Sequence, residues 1–187
     1  MTAVTAWPHA MRDTSRPSRS AAQSFPPIVD VTSRVLILGT MPGEESLRRQ
    51  EYYGHPRNQF WRILADIFHA PLAETYPERV ALLRQERLAV WDVLQTCERQ
   101  GSLDQAIRNA VPNDFRGMFK TYRNLRMIVF NGRKAQDLFE HTVLRQQGLE
   151  GIALPRLLMP STSPAATLPL SAKVERWRQI SAWLVDR

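Results

Sequence analysis

VLILGTMPGEESLRRQEYYGHPRNQFW, residues 35–61, is the stretch that decides how the chain folds. Val35 to Leu38 are an apolar run that stops abruptly at Gly39-Thr40-Met41-Pro42-Gly43. Run and stop together describe a buried strand feeding a glycine-bounded turn. The carboxyl end of such a strand is where open α/β sheets bind ligands. Gly39 and Gly43 can take positive φ and let a ligand approach the backbone, while Pro42 stiffens the loop and removes one N–H donor. The loop continues through Tyr52, Tyr53, His55, Pro56, Arg57 and Asn58 to a helix that starts at Gln59.

Working outward, Phe60, Ile63, Leu64 and Ile67 recur at helical spacing and predict a helix over about Gln59 to Phe68. A second helix, roughly Pro77 to Glu86, opens with a first-turn proline. Further apolar runs predict strands at Leu88 to Trp91, with Asp92 at the end, and at Met127 to Phe130, closed by Asn131-Gly132. Ile152 to Met159 is a fourth, although Pro155 suits a strand start or edge better than a middle. Between them, Ser102 is expected to N-cap a helix, and the Pro112 to Phe115 turn leads into an amphipathic one. A helix runs from Arg133 to about Gln146, and a last one from about Ser171 to Val185. Strands alternating with helices predict an α/β fold, a three-layer α/β/α sandwich around a central four-stranded, mainly parallel sheet. That topology brings Thr40, Asp92, Asn131 and Ser161 to one edge.

A chain of 187 residues with 43% hydrophobic content suits one domain with a substantial core. Residues 1–24 are small, polar and interrupted by proline, and read as a flexible N-terminal tail before a single domain over 25–187. Lys plus Arg exceed Asp plus Glu by 25 to 18, and lysine occurs only at 120, 134 and 173. Arginine forks match phosphate geometry, so a polyanionic partner is plausible. Cys97 is the sole cysteine, which excludes an internal disulfide and a cysteine-held cluster and suits a reducing, cytoplasmic setting. His9, His55, His69 and His141 show no metal-ligand spacing, so no metal or other cofactor is expected. No apolar stretch approaches the roughly 20 residues of a membrane span.

The Gly39 to Gly43 loop, the segment Tyr53-Gly54-His55-Pro56-Arg57-Asn58-Gln59-Phe60-Trp61 and the later Pro160-Ser161-Thr162-Ser163-Pro164 resemble the uracil-DNA glycosylase superfamily. Met41 and Asn58 make the hypoxanthine-DNA (deoxyinosine) glycosylase family the most similar branch. The likeness runs over about residues 25 to 186 and implies the same three-layer fold. It implies that Asn58 is catalytic. On the residues alone Asn58 reads first as a helix N-cap. An amide is too weakly basic to take a proton, so Asn58 would orient the attacking water through its carbonyl oxygen. Backbone N–H groups of the Gly39, Thr40, Met41, Pro42, Gly43 loop, in which proline has none to offer, would stabilise the departing base.

Tyr53 is assigned by the resemblance to stacking on an extruded base, a role for which Tyr52 and Phe60 compete; helical phase places Phe60 in the core. Asp92 stands where uracil-type relatives keep a base-reading asparagine. As a carboxylate it would accept the N1 hydrogen of hypoxanthine and repel the N1 lone pair of adenine. His55 is a candidate donor to phosphate or base, although a histidine before proline also reads as a turn residue. Ser161, Thr162, Ser163 and Pro164 would clamp the DNA backbone, and Leu168 is the candidate wedge for the emptied stack. Two departures are visible. The first motif lacks the catalytic Asp or Asn of many relatives, and Ser161 stands where uracil-type relatives often have histidine.

The expected activity is a monofunctional glycosylase acting on DNA that contains deaminated bases, working as a monomer. No lysine lies in the motifs to form a Schiff base. The same chemistry on uracil or xanthine is the near alternative. A nucleic-acid or nucleotide-binding module without chemistry is the alternative from another class. A phosphate-binding P-loop is excluded because no lysine follows Gly43 at the required spacing.

Overall fold

The structure, a computed structural model, describes residues 20–99 and 101–185. In chain order it comprises β1 (Ser20–Gln23), β2 (Val35–Gly39), α1 (Glu44–Arg49), α2 (Phe60–Ile67), α3 (Tyr76–Gln85), β3 (Leu88–Asp92) and β4 (Leu94–Arg99). There follow β5 (Arg108–Pro112), α4 (Phe115–Thr121), β6 (Met127–Asn131), α5 (Arg133–Leu138), α6 (Leu144–Gln147), β7 (Arg156–Met159) and α7 (Leu170–Trp177).

The main sheet has the order β3-β2-β6-β7, with all three pairings parallel. β2 and β3 are buried throughout, which explains why both read as unbroken apolar runs rather than alternating ones. The connections β2 to β3 and β6 to β7 leave the sheet centre in opposite directions. Right-handed crossovers therefore put α2 and α3 on one face and α5 and α6 on the other. α7 packs on α2 and joins its layer. Each layer carries an aromatic cluster. Phe60 meets Trp177 and Trp61 in one. In the other, Phe139 packs against Phe115 from α4 and Phe130 from β6. The three-layer α/β/α fold is as the strand and helix pattern predicts.

Strand order reverses between β2 and β6, so Gly39 and Asn131 end neighbouring strands at the point where the connections part. That is the crevice where such sheets hold ligands.

Several local expectations are corrected. Ser20–Gln23, assigned to a flexible tail, forms strand β1 and pairs antiparallel with β4, because Ala22 can be buried there. Ser24 follows, its N–H donating to the Gln95 carbonyl at 2.8 Å, and residues 1–19 of that tail lie outside the described residues. A second sheet, β1-β4-β5, was not anticipated. Ser102 caps no helix of its own: only a 3-10 turn, Asp104–Ala106, follows. Its Oγ instead accepts the Glu44 N–H at the start of α1, 2.9 Å away. The helix expected from Arg133 onward is broken by a π turn at Phe139–Val143, and the last helix passes into a 3-10 segment at Arg178–Trp183.

Candidate active site

Gly39 is the closest backbone approach in the site. A Cβ there would lie 2.5 Å from Asp92 Oδ1 and 3.3 Å from the Tyr53 hydroxyl. Close packing is thus the reason for glycine, since neither Gly39 nor Gly43 has positive φ. Beyond it the loop is bound to the second sheet: Gly39 and Thr40 carbonyls accept from Val93 and Leu94 N–H at 2.9 and 3.2 Å. The Pro42 carbonyl accepts from Arg99. Thr40, Met41 and Pro42 are buried, and the Thr40 hydroxyl donates to Asp104 at 3.0 Å. Those side chains are therefore occupied within the fold. What the loop retains is backbone: the N–H groups of Thr40, Met41 and Gly43 donate to no acceptor among the described residues.

Asp92 ends β3 beside Gly39 and is 4% exposed. Burial and the nearby Asp104 push its pKa up to about 8, against the opposing pull of Arg99. Its Oδ2 and the Tyr53 hydroxyl are buried polar atoms without a hydrogen-bond partner among the described residues. Such a setting opposes the expected Asp92 carboxylate and favours the neutral acid. Near neutrality the group is mainly the protonated acid, able to donate one hydrogen bond and accept others.

Tyr53 has φ of 54°, a left-handed backbone uncommon for an aromatic residue. Its ring stacks on Phe60, centroids 3.9 Å apart and planes at 24°. One ring face is therefore already covered, and at most the other is left for a base. Asn131 stands near enough to Tyr53 to oppose the rise that burial imposes on its hydroxyl, though outside bonding geometry. The competitors are settled by burial. Phe60 is fully buried, and Tyr52 sits in the core with its hydroxyl donating to the Phe25 and Pro26 carbonyls.

Asn58 is partly exposed just ahead of α2. Its Oδ1 accepts the Phe60 N–H at 3.0 Å, so the capping role is present, although the backbone N-cap position is Gln59. An amide oxygen has a second lone pair, so capping and water orientation are compatible. His55 Nδ1 accepts the Arg57 N–H at 3.0 Å, which puts the proton of the neutral ring on Nε2. That nitrogen remains a donor toward an anion.

The later motif is tied to the first through backbone and side chain. The Gln59 N–H donates to the Thr162 carbonyl at 3.0 Å. Thr162 in turn exchanges two 2.9 Å bonds with the Asn131 amide. Thr162 is completely buried. Its side chain is correspondingly removed from the expected DNA clamp, because its hydroxyl satisfies Asn131. Ser161 and Ser163 are half-buried, each accepting a backbone N–H two residues ahead, and Pro164 is exposed. Leu168 is half-buried. Gly132, at φ of 100°, lets Ser161 approach: a Cβ would stand 3.0 Å from that of Ser161.

Three residues at this edge were missed by sequence reasoning. Asp104 and Arg99 set the charge around Asp92, but they lie on an unanticipated strand and turn. Lys173 is fully buried in α7, where its neighbours Val174 and Trp177 mark a packed helix and nothing marks the lysine. Among the described residues no group of His, Cys, Asp and Glu is placed to hold a metal ion, and no helix is long and apolar enough to cross a membrane.

Comparison with known proteins bears on the family and the fold. The family model for the uracil DNA glycosylase superfamily matches residues 26–184. A hypoxanthine DNA glycosylase of Methanosarcina barkeri is 34% identical over 158 residues, covering 84% of this chain and 96% of the relative. One from Methanosarcina acetivorans is 38% identical over 134 residues, covering 71% and 84%. The solution structure of a candidate uracil DNA glycosylase from Methanosarcina acetivorans superposes with a TM-score of 0.74 at 32% identity, covering 88% of this chain and 99% of that one.

Proposed function

The chain belongs to the uracil-DNA glycosylase superfamily, and on that premise we propose that it is a hypoxanthine-DNA glycosylase of base-excision repair, with Asn58 at its catalytic centre. The target nucleotide is flipped from the stack, because the reacting atom is inaccessible inside it. The N-glycosidic bond then breaks with the base leaving as an anion. The unpaired amides of the Gly39 to Gly43 loop stabilise that charge, and water oriented by Asn58 meets the sugar cation. The product is an abasic site.

What supports this reading is that Gly39 and Asp92 end paired strands, while the segment after Asn58 is bonded through the Gln59 N–H to Thr162, and Thr162 to Asn131 at the end of the neighbouring strand. Protonated Asp92 can accept from hypoxanthine N1–H and donate to O6. A donor at O6 stabilises the leaving anion, so discrimination moves from lone-pair repulsion to leaving-group stabilisation. A neutral acid can also pair with adenine in the reversed sense, which is why recognition alone does not suffice. His55, Ser161, Ser163 and Pro164 line the DNA side, with Leu168 as the wedge. The working unit in this reading is a monomer with an open groove, acting in the cytoplasm.

The test uses labelled duplexes, each with one deoxyinosine, deoxyuridine or deoxyxanthosine, treated with alkali after incubation. Cleavage at deoxyinosine is expected. Asn58→Ala should lower the excision rate by more than about 100-fold while stability drops by only about 0.5 to 2 kcal/mol for the lost cap. Cleavage mainly at deoxyuridine would move the substrate and keep the mechanism. DNA binding without cleavage of any duplex would establish a binding module.

A further inference from the structure

Lys173 lies in the first turn of α7 with no exposed surface. Its ammonium donates to the Gln59 Oε1 at 2.8 Å and to the Ala166 carbonyl at 3.2 Å. Among the described residues no carboxylate pairs with it, and burial pulls its pKa below the usual lysine value. A buried cation held only by neutral oxygens is costly, and a well-packed apolar side chain in its place is often neutral or stabilising. Stability therefore does not account for a lysine here.

Its two partners do. Gln59 follows Asn58 directly and opens α2, whereas Ala166 belongs to the loop that carries Ser161 and Ser163. Resting on the glycosylase reading, we propose that Lys173 is a positioning residue that ties these two loops together and so holds Asn58 at a fixed reach from the DNA strand gripped by the later loop. The second link between the loops, Gln59 N–H to the Thr162 carbonyl, fixes only backbone. Lys173 adds the side-chain link and stops the Gln59 end of α2 from turning. A misplacement of about 1 Å is enough to cost roughly 100-fold in rate.

The experiment compares Lys173→Met, Gln59→Met and the double variant with the wild type on a deoxyinosine duplex under single-turnover conditions, alongside binding and melting measurements. Each single variant is expected to lose about tenfold or more in the rate at saturating enzyme, in the range that misplacement explains. DNA affinity should stay within about threefold, and the melting temperature of Lys173→Met should be unchanged or higher. The double variant should be no slower than the slower single one, because both remove the same link. Wild-type rates in the single variants, or losses that multiply in the double, would overturn the proposal. If Lys173→Met does not fold, Gln59→Met decides alone: a wild-type rate refutes the link and a lost rate supports it. A wild type inert on all three duplexes would sink the glycosylase reading and this inference together, whereas an active wild type with equally active variants would sink this inference only.

Discussion

Asp92 keeps its proton because its carboxyl is buried beside Gly39, with a second acid, Asp104, close by; Arg99 opposes this without offsetting it. In the unfolded chain the same group titrates near the ordinary value of 3.8, and in the folded protein near 8. Below the lower value both states hold the proton. Between the two the unfolded state releases it and the folded state does not, so stability falls as pH rises, and it levels off above about 8. Asp104, also pushed up by burial, acts in the same direction. Asp30, Glu45 and Glu78, whose pKa values are lowered, act oppositely, but only at more acidic pH. Urea unfolding between pH 5 and about 9 should therefore show stability declining in the wild type and far less in Asp92→Asn. Activity supplies an independent check. An amide imitates a neutral acid in having one donor side and one acceptor side. Asp92→Asn is expected to keep excision of hypoxanthine within about tenfold and to lose the wild type's decline above pH 8. Abolition of activity in Asp92→Asn at pH 7 would show instead that the carboxylate is the working form.

At the scale of elements, the site depends on two loops leaving β2 and β7 and on the single side chain, Asn131, that locks the later one to β6. Thr162→Val is nearly isosteric but leaves the Asn131 Nδ2 without its acceptor in a buried setting. We expect a loss of about 1 to 3 kcal/mol, read as a shifted urea midpoint at constant m-value, with excision falling further because Gln59 hangs from the Thr162 carbonyl. None of this bond pattern was legible in the sequence. What was legible is what periodicity and turn chemistry encode: the four parallel strands, α2 with its apolar face, and the convergence of Asp92, Asn131 and Ser161 that follows from strand order. The second sheet escaped notice because β4 and β5 are short, mixed in burial and irregular in register, so neither shows clean alternation. Helix α1 was hidden inside a segment read as loop. Its six residues are too few for a periodic signal, although Glu45 joins Arg48 and Arg49 in ion pairs along it. The Thr162 hydroxyl, expected at the DNA because a polar residue in a motif loop looks available, is held by Asn131, 31 residues away in sequence.

For the whole molecule, the relevant quantity is a formal charge of +7 carried almost entirely by arginine. Arg133 and Lys134 are exposed and follow Asn131 and Gly132 directly, at the same sheet edge as the site, and Arg57 is exposed within the first motif. Cations placed there neutralise phosphates and release counterions, so affinity for DNA should fall linearly on logarithmic axes with salt, by a slope of about −0.9 for each phosphate contacted. The bond-breaking step, by contrast, occurs in a buried setting where screening is weak. Titrations of an undamaged duplex at increasing salt should show the steep loss of affinity. Single-turnover excision at saturating enzyme should change little over the same range. Lys134→Gln and Arg57→Gln are each expected to lower the slope by about 1 and weaken binding to damaged and undamaged DNA alike, since phosphate contacts position the duplex without reading it. A slope that stays unchanged in both variants would move the DNA path away from this edge, while a rate at saturation that falls as steeply as the affinity would mean that exposed cations take part in the chemistry itself.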